Sequence, residues 1–459
     1  MPGERRPSAP GGRRPRGPAR GRPGGGPRAG HDGAGAGFGG PRRDPTRVAC
    51  AHFPDCVGCP LVGTTYGEQL RSKEETLRAE LEARPSLSAL EPERIFGSPL
   101  PFGYRNQAKL VLRRRRMRDG RNEVVLGVYR PGTHSVLPAE RCRVHDRRLL
   151  PFLVALRARI EESRLPIFDE RTREGALRYA LARISSDTGA IHLALVSAVA
   201  DPPGLDALFE RLRREETRLE AAFLCVNPTP GNAILSADVR RVFGPKVLVE
   251  RFGRLVLESR PDAFVQANPG VATRIYADAE RWLAPRAEDV VLDLFGGVGA
   301  FGLALAPRVS AVLGIESSGA AVDCAKGNAK RAHQRHVRYV AAPAESAAAL
   351  AREHGIAPRE GGRWLLVANP PRAGLSAGAR DAIAELAPAS LLYLSCNPAT
   401  LARDLEALAA TGLTVRRIRP FDMLPQTPHV EVLALLERDP EGAGDRTQVP
   451  PQDDERSHR

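Results

Sequence analysis

The stretch Val290-Val-Leu-Asp-Leu-Phe-Gly-Gly-Val-Gly-Ala-Phe-Gly302 decides how the C-terminal half of this chain folds. Its first five residues are apolar apart from Asp293 and predict a buried strand. Gly296, Gly297 and Gly299 follow, then a helix over 300–306. Glycine lets a backbone turn sharply and come close to a ligand. Residues 297–302 match G-x-G-x-x-G, and Glu316 closes the next strand, AVLGIE (311–316), nineteen residues after Gly297. A carboxylate there can accept hydrogen bonds from both hydroxyls of an adenosine ribose. The pair therefore fits a nicotinamide dinucleotide and S-adenosylmethionine equally well. A tight turn with packing duties alone is the plain alternative.

Working outward, helices and strands alternate from about residue 259. A helix at 268–284 precedes the glycine strand. Strands at 337–340, WLLVAN (364–369), LLYLSC (391–396), 413–419 and 429–437 come after it. Helices at 318–332, 344–353, 377–387 and 399–410 lie between them. This alternation indicates a doubly wound, Rossmann-like parallel sheet. Upstream the pattern differs. A helix over 66–83 precedes a hairpin, QAKLVLRRRR and EVVLGVYR about an Asp119-Gly120 turn. A second hairpin, ALRYALARISS and AIHLALVS, turns at Asp187-Thr188-Gly189. A helix at 147–163 and short strands near 221–226, 233–236 and 255–258 complete that half. The fold class is α/β: a doubly wound domain over 259–438, an α+β region over 49–258, and disordered tails at 1–48 and 439–459.

The 459 residues are 42% apolar, enough for a sizeable core in most of the chain. No run of 18 apolar residues argues for a membrane span, and the N-terminus lacks the apolar core of a secretory signal. Seven cysteines are too few for a disulfide scaffold. A cytoplasmic, multidomain protein with no evident obligate protein partner is expected. The net charge of +14 favours a polyanion, nucleic acid first. More than half of that excess sits in residues 1–48, where eleven Arg face Glu4, Asp32 and Asp44. The tail reads as an arm that grips phosphates or as the product of an arginine-rich composition. Only five of the 68 basic residues are Lys. An arm of the first kind is needed for full nucleic-acid affinity, so deleting residues 1–48 lowers that affinity and flattens its salt dependence. A deletion that changes neither excludes it.

Two motifs separate the cofactors. Asn369-Pro370-Pro371-Arg372 follows one strand and Ser395-Cys396-Asn397-Pro398 the next, at the strand ends where open α/β sheets bind ligands. Hydride transfer has no evident use for a cysteine there. Methylation of a pyrimidine at C5 does. C5 of uracil is a poor nucleophile. A thiolate added to C6 places electron density at C5, which can then attack a methyl donor, and a base must remove the C5 proton before the thiolate leaves. Cys396 is the candidate nucleophile and Glu431, in Pro428-His429-Val430-Glu431, the candidate base, with His429 second. A buried small hydrophobe and a surface glutamate are their bland readings.

Cys50, Cys56 and Cys59 form C-x5-C-x2-C, and Cys142 lies downstream. Four thiolates can hold zinc or an iron–sulfur cluster, and the x5 spacing is unusual for a zinc ribbon. Arg113, Arg114, Arg115, Arg116, Arg118 and Arg121 sit on the first hairpin as phosphate contacts or as the solvated charge of an edge strand. A target base must leave its stack to react, and Phe102, Tyr104 and Phe264 are candidates to fill the gap.

The chain resembles the bacterial RNA 5-methyluridine methyltransferases. The resemblance rests on LDLFGGVGAFGLALA (292–306), VANPPRAGL (367–375), LLYLSCNPATLARDL (391–405) and IRPFDMLPQTPHVEVLALLER (418–438), with weaker matches at PFGYRNQAKL, LGVYRPGTH, CVNPTPGNAILS and DAFVQANPG. It spans about residues 50–438. It implies a methyltransferase domain that uses S-adenosylmethionine, with Cys396 as nucleophile and Glu431 as base. Gln266, Phe295 and Glu316 would contact the cofactor, with Gly297, Gly299 and Asn369 beside it. Resemblance to the ribosomal branch implies a four-iron, four-sulfur cluster on Cys50, Cys56, Cys59 and Cys142. It also implies large-subunit (23S) ribosomal RNA as substrate, with transfer RNA second. The chain departs from the family pattern at Asn369 (usually Asp), Ala300 (often Asn) and Gly296 (often Cys). A catalytically impaired RNA-binding iron–sulfur protein is the rival these departures permit. No small N-terminal RNA-binding barrel is expected, and the arginine-rich arm is its candidate substitute.

Overall fold

The computed structural model describes residues 50–229 and 234–438. The expected tails lie outside these. Two seven-stranded sheets carry the chain.

The first half runs α1 (Tyr66–Glu82), β1 (Gln107–Arg116), β2 (Asn122–Tyr129), β3 (Val136–Pro138), α2 (Leu150–Ser163), β4 (Leu177–Ile184), β5 (Ile191–Ser197), α3 (Leu205–Glu215), β6 (Leu219–Val226) and β7 (Val239–Phe243). Its sheet order is β3-β2-β1-β4-β5-β6-β7. The β5–β6 pair is parallel because α3 crosses over between them. Helices α2 and α3 cover one face, burying Leu153, Leu156, Phe209 and Leu212 against Leu110, Leu112 and Leu193. The short strand expected near 233–236 is absent among the described residues there, and β7 comes later. A two-stranded ribbon, β8 (Leu248–Phe252) and β9 (Leu255–Ser259), leads into the second half.

That half runs α4 (Pro269–Leu283), β10 (Val290–Leu294), α5 (Ala300–Leu305), β11 (Ala311–Glu316), α6 (Gly319–Arg331), β12 (Val337–Ala341), α7 (Ala347–Glu353), β13 (Trp364–Ala368), α8 (Ala377–Leu386), β14 (Ser390–Ser395), α9 (Pro398–Ala409), β15 (Leu413–Phe421) and β16 (Glu431–Arg438). The order is β12-β11-β10-β13-β14-β16-β15. Strands β10 and β14 are buried throughout, which is why they read as apolar runs rather than alternating ones. Apolar clusters on both faces make the sheet doubly wound. The last strand departs from the parallel pattern: β16 runs antiparallel to both β14 and β15.

Helix α1 starts at a capping box. Thr65 Oγ1 accepts from the Glu68 amide at 3.3 Å, and the Glu68 carboxylate accepts from the Thr65 amide at 2.7 Å. Although it precedes the first sheet in sequence, α1 buries Leu77 and Leu81 in the core of the second sheet, beside α9 and β15. Among the described residues no helix is long and apolar enough to cross a membrane.

Candidate active site

Strand β10 ends in a loop with three left-handed residues, Phe295 (φ 57°), Gly297 (54°) and Gly299 (91°). The turn is keyed from beneath by Asp293, which is fully buried. Its Oδ2 accepts from the Gly302 amide and from the Tyr339 hydroxyl, both at 2.9 Å. Burial pushes the Asp293 carboxyl up to about 6, opposed by these hydrogen bonds. A Cβ on Gly302 would lie 2.3 Å from the Tyr339 hydroxyl oxygen, so glycine is required there by space. Glu316, at the end of β11, faces the same loop. It accepts from the Gly297 amide at 3.1 Å through Oε2 and from the Ser318 amide at 2.8 Å through Oε1. The Ser317 hydroxyl also donates to Oε1, at 3.3 Å, so of the roughly four acceptor positions of a carboxylate the free one is on Oε2, and a ribose hydroxyl gains Oε1 by displacing Ser317.

The strand register assembles the rest. Leu294 pairs with Ala368, and Ala368 with Tyr393, so Phe295, Asn369 and the end of β14 reach the same edge of the sheet. Gln266 lies in the segment before α4. Asn268 ties that segment to the chain ahead of β16, donating to Met423 O at 3.1 Å. Ser395 pairs with Val432 as the last step of the β14–β16 ladder. One residue further, Cys396 leaves β14 opposite Glu431, and alternation puts both side chains on one face. Reversal of the last strand thus joins residues 35 positions apart into one pair.

Arg372 governs this pair, and sequence reasoning gave it no role. Burial and the neighbouring Glu431 push the Cys396 thiol up, while Arg372, charged and hydrogen-bonded to it, pulls it back. Burial pushes Glu431 up to about 7, again opposed by Arg372. The guanidinium Nη2 lies 3.2 and 3.3 Å from the two nitrogens of His429. That ring is exposed, so Glu431 is the better placed base. The Arg372 carbonyl is held by Asn397 Nδ2 at 3.3 Å and Thr400 Oγ1 at 3.2 Å, which makes the SCNP turn the clamp for the arginine. The only hint in the sequence was its place beside Asn369.

A model of the tRNA (uracil-5-)-methyltransferase family matches residues 249–439. An uncharacterized RNA methyltransferase of Geobacter sulfurreducens is 34% identical over 389 residues, covering 84% of this chain and 76% of its own. One from Thermosynechococcus vestitus is 34% identical over 395 residues, covering 85% and 84%. The chain belongs to the RNA uracil-C5 methyltransferases. Among solved structures, the tRNA (uracil-54, C5)-methyltransferase of Pyrococcus abyssi in complex with S-adenosyl-L-homocysteine matches with a TM-score of 0.67 and 25% identity, over 83% of this chain and 86% of that one. The second sheet of this RNA methyltransferase is the S-adenosylmethionine-dependent domain of the family.

In this methyltransferase Cys50, Cys56, Cys59 and Cys142 form no disulfide. Cys50, Cys59 and Cys142 share a small apolar cluster with Val62, Tyr104 and Val144. Burial and the neighbouring Cys142, Cys56 and Cys50 push the Cys59 thiol up to about 12, so all four lie within electrostatic reach of one another. Among the described residues no three His, Cys, Asp or Glu side chains are gathered tightly enough to hold a single metal ion. Four thiols are the donor type that a four-iron cluster takes, one per iron.

The arginine run divides by use. Arg113 donates to Phe168 O at 2.7 Å, Arg115 pairs with Glu123, and Arg121 pairs with Asp119. Arg116 and Arg118 are exposed, and no ion pair among the described residues engages them. Strand β1 is central rather than an edge, but beyond Val111 it pairs with β2 alone and forms a two-stranded arm. Of the stacking candidates, Tyr104 drops out because it is buried, with its hydroxyl donating to Pro425 O at 3.2 Å. Phe102 lies under Arg143. Phe264 is 65% exposed, two residues from Gln266.

The base must be ionised to take a proton. With Glu431 as that base, turnover is expected to rise with pH to a midpoint near 7, with removal of the C5 proton as the limiting step below it. Arg372→Ala removes the opposing charge, so the midpoint moves up by about one pH unit. A pH–rate profile unchanged by the substitution would remove Arg372 from the pair. Folding favours the protonated form of Glu431. That contribution to stability is complete below the ordinary value of 4.5 and is lost as pH rises through about 7.

Proposed function

We propose that this chain makes 5-methyluridine in RNA in the cytoplasm, in large-subunit ribosomal RNA first, through a covalent adduct on Cys396. The observation that carries this reading is the facing of Cys396 and Glu431 across the β14–β16 register, beside the glycine loop. S-adenosylmethionine supplies the methyl group. Glu316 would take its ribose hydroxyls, the loop amides near Gly297 and Gly299 its polar edge, and Phe295, Gln266 and Asn369 the flanks. Cys396 as thiolate bonds to C6 of uracil, and the electron pair displaced toward C5 attacks the methyl group. S-adenosylhomocysteine leaves. Glu431 then takes the C5 proton, the C5–C6 double bond re-forms, and the thiolate is expelled. Arg372 supports the thiolate in both halves. Phe264 is the residue to stack on the neighbour of the extruded base.

Transfer RNA is the second substrate, favoured by the archaeal structure, whose own substrate is a tRNA uracil. Nucleoside mass spectrometry separates the two. RNA from a strain lacking this gene is fractionated into large-subunit and transfer RNA, then incubated with anaerobically purified protein and S-adenosylmethionine. New 5-methyluridine in the ribosomal fraction is the expected result. In the transfer RNA fraction alone it reverses the order. In neither, with RNA still bound, it favours the catalytically impaired reading, with Asn369 the first residue to revert to Asp.

The reading includes a four-iron, four-sulfur cluster on Cys50, Cys56, Cys59 and Cys142, holding the N-terminal segment against the Tyr104 region. Protein prepared anaerobically should contain about four iron atoms per chain and absorb broadly in the visible. Cys142→Ser should lose most of that iron and lower the melting temperature. Stoichiometric zinc in place of iron would replace the cluster with a structural zinc site.

A further inference from the structure

Helix α1 holds two fully buried polar side chains that the chemistry above does not use, and beside them the Tyr66 hydroxyl donates to Asp422 Oδ2 at 2.7 Å. Gln69 and Lys73 are one turn apart on one face of the helix, and each is only 1% exposed. Both point at the segment 422–426, which immediately precedes the base-bearing turn. Gln69 and Gln426 form a reciprocal pair. Gln69 Nε2 donates to Gln426 Oε1, and the Gln426 amide donates to Gln69 Oε1, both at 3.0 Å. The Gln426 carbonyl accepts from the Leu61 amide at 3.1 Å. Gln426 itself is left-handed, at φ 71°, so this short run is held in a conformation that a non-glycine residue rarely adopts. Lys73 Nζ is ion-paired with Asp422 and donates to Leu424 O at 3.2 Å.

The grip passes directly to the site. Thr427 Oγ1 donates to Leu424 O at 2.7 Å and accepts from the His429 amide at 3.3 Å, two residues before Glu431. Among the described residues no side-chain hydrogen bond or ion pair runs from α1 to Cys396 or the glycine loop; α1 reaches the Cys396 side only by packing on α9. Burying an ammonium and two amides contributes less to stability than apolar packing of the same volume. Their usefulness lies in fixing one arrangement of the chain.

We propose that Gln69 and Lys73 are positioning residues for the catalytic base: they set the 422–428 segment so that Glu431 meets the C5 proton, and they leave thiolate addition and methyl transfer untouched. This rests on the adduct mechanism above and deepens it. Loosening the segment should slow only the second half of the cycle.

The experiment compares wild-type protein with Gln69→Leu, Lys73→Met and Lys73→Arg, each with full chain and cluster. The RNA is the unmethylated fraction in which wild type makes product. Three quantities are read: multiple-turnover rate, methyl incorporated in a single turnover, and protein shifted to an RNA adduct on a denaturing gel. Gln69→Leu and Lys73→Met should lose tenfold or more in turnover. They should keep single-turnover methyl incorporation within about twofold and accumulate adduct. Lys73→Arg should recover most of the turnover. Parallel loss of turnover and methyl transfer without adduct overturns the proposal, as does unchanged turnover. Loss of the folded state in both Gln69→Leu and Lys73→Met also overturns it, because the pair would then serve the fold alone. If wild type yields no 5-methyluridine and Glu431→Gln yields no adduct, the underlying mechanism fails instead.

Discussion

Glu431→Gln should convert the enzyme into one that methylates once and does not let go. Glutamine keeps the size of the side chain and a hydrogen-bonding oxygen but cannot accept the C5 proton. Addition of Cys396 to C6 and transfer of the methyl group precede that step, so both still occur. The product is an RNA–protein adduct, methylated at C5, that survives denaturing electrophoresis. Turnover falls by about a thousandfold, within the usual range for loss of a general base. The adduct should incorporate label from methyl-labelled S-adenosylmethionine in a one-to-one ratio with protein. Cys396→Ala in the same background should abolish both adduct and label. An adduct that persists without Cys396 would place the nucleophile elsewhere, and an unlabelled adduct would place methyl transfer after proton removal.

The second large effect concerns the glycine loop, proposed above to receive S-adenosylmethionine. Gly314, inside β11, lies against the Tyr339 ring: an added Cβ would stand 1.9 Å from Cε1 and 2.1 Å from Cδ1. The ring cannot retreat. It packs against Val322 and Ala325, and its hydroxyl is fixed to Asp293. Gly314→Ala should therefore cost about 3 kcal/mol, the upper end for overpacking a core. It should also break the Tyr339–Asp293 hydrogen bond beneath the glycine loop and abolish thermal protection by S-adenosylmethionine. Gly297→Ala is the informative contrast. Its Cβ meets nothing within 4 Å, so the cost is that of the left-handed backbone alone, roughly 1–2 kcal/mol. Equal losses in the two variants would mean that the ring moves more freely than its contacts allow.

The methyltransferase half was legible because its signals are local. Apolar runs at 290–294, 364–368 and 390–395 are buried on both faces, and the intervening helices carry their own caps, such as Ser318 and Ser376. The pairing of Cys396 with Glu431 was reached through chemistry and resemblance. Its geometric cause, a reversed final strand, has no local signature. The upstream half was harder. Strands β3, β7 and β8 are too short to show a pattern and depend on partners far away, whereas α3 escaped notice although it does carry one, Leu205, Leu208, Phe209 and Leu212 at helical spacing. Arg372 was quoted without a role because only the fold brings it to Cys396. Gln69 and Lys73 look like ordinary polar positions on a helix. What buries them is a segment about 350 residues later, a relation that no window of sequence contains.

That distance has a consequence for how the protein is made. Helix α1 leaves the ribosome among the first folded elements, and Asp422 and Gln426 among the last. Until they arrive, Lys73 has no counter-charge and the cleft on α1 stays open to water. A chain interrupted between residues 397 and 421 therefore has its glycine loop and Cys396, the proposed nucleophile, yet carries an unfilled polar seam on α1. Closing that seam and supplying Glu431, the proposed proton acceptor, fall within the same stretch of synthesis, 422–431, so under the adduct mechanism a chain stopped short of it is poorly placed to trap RNA on Cys396.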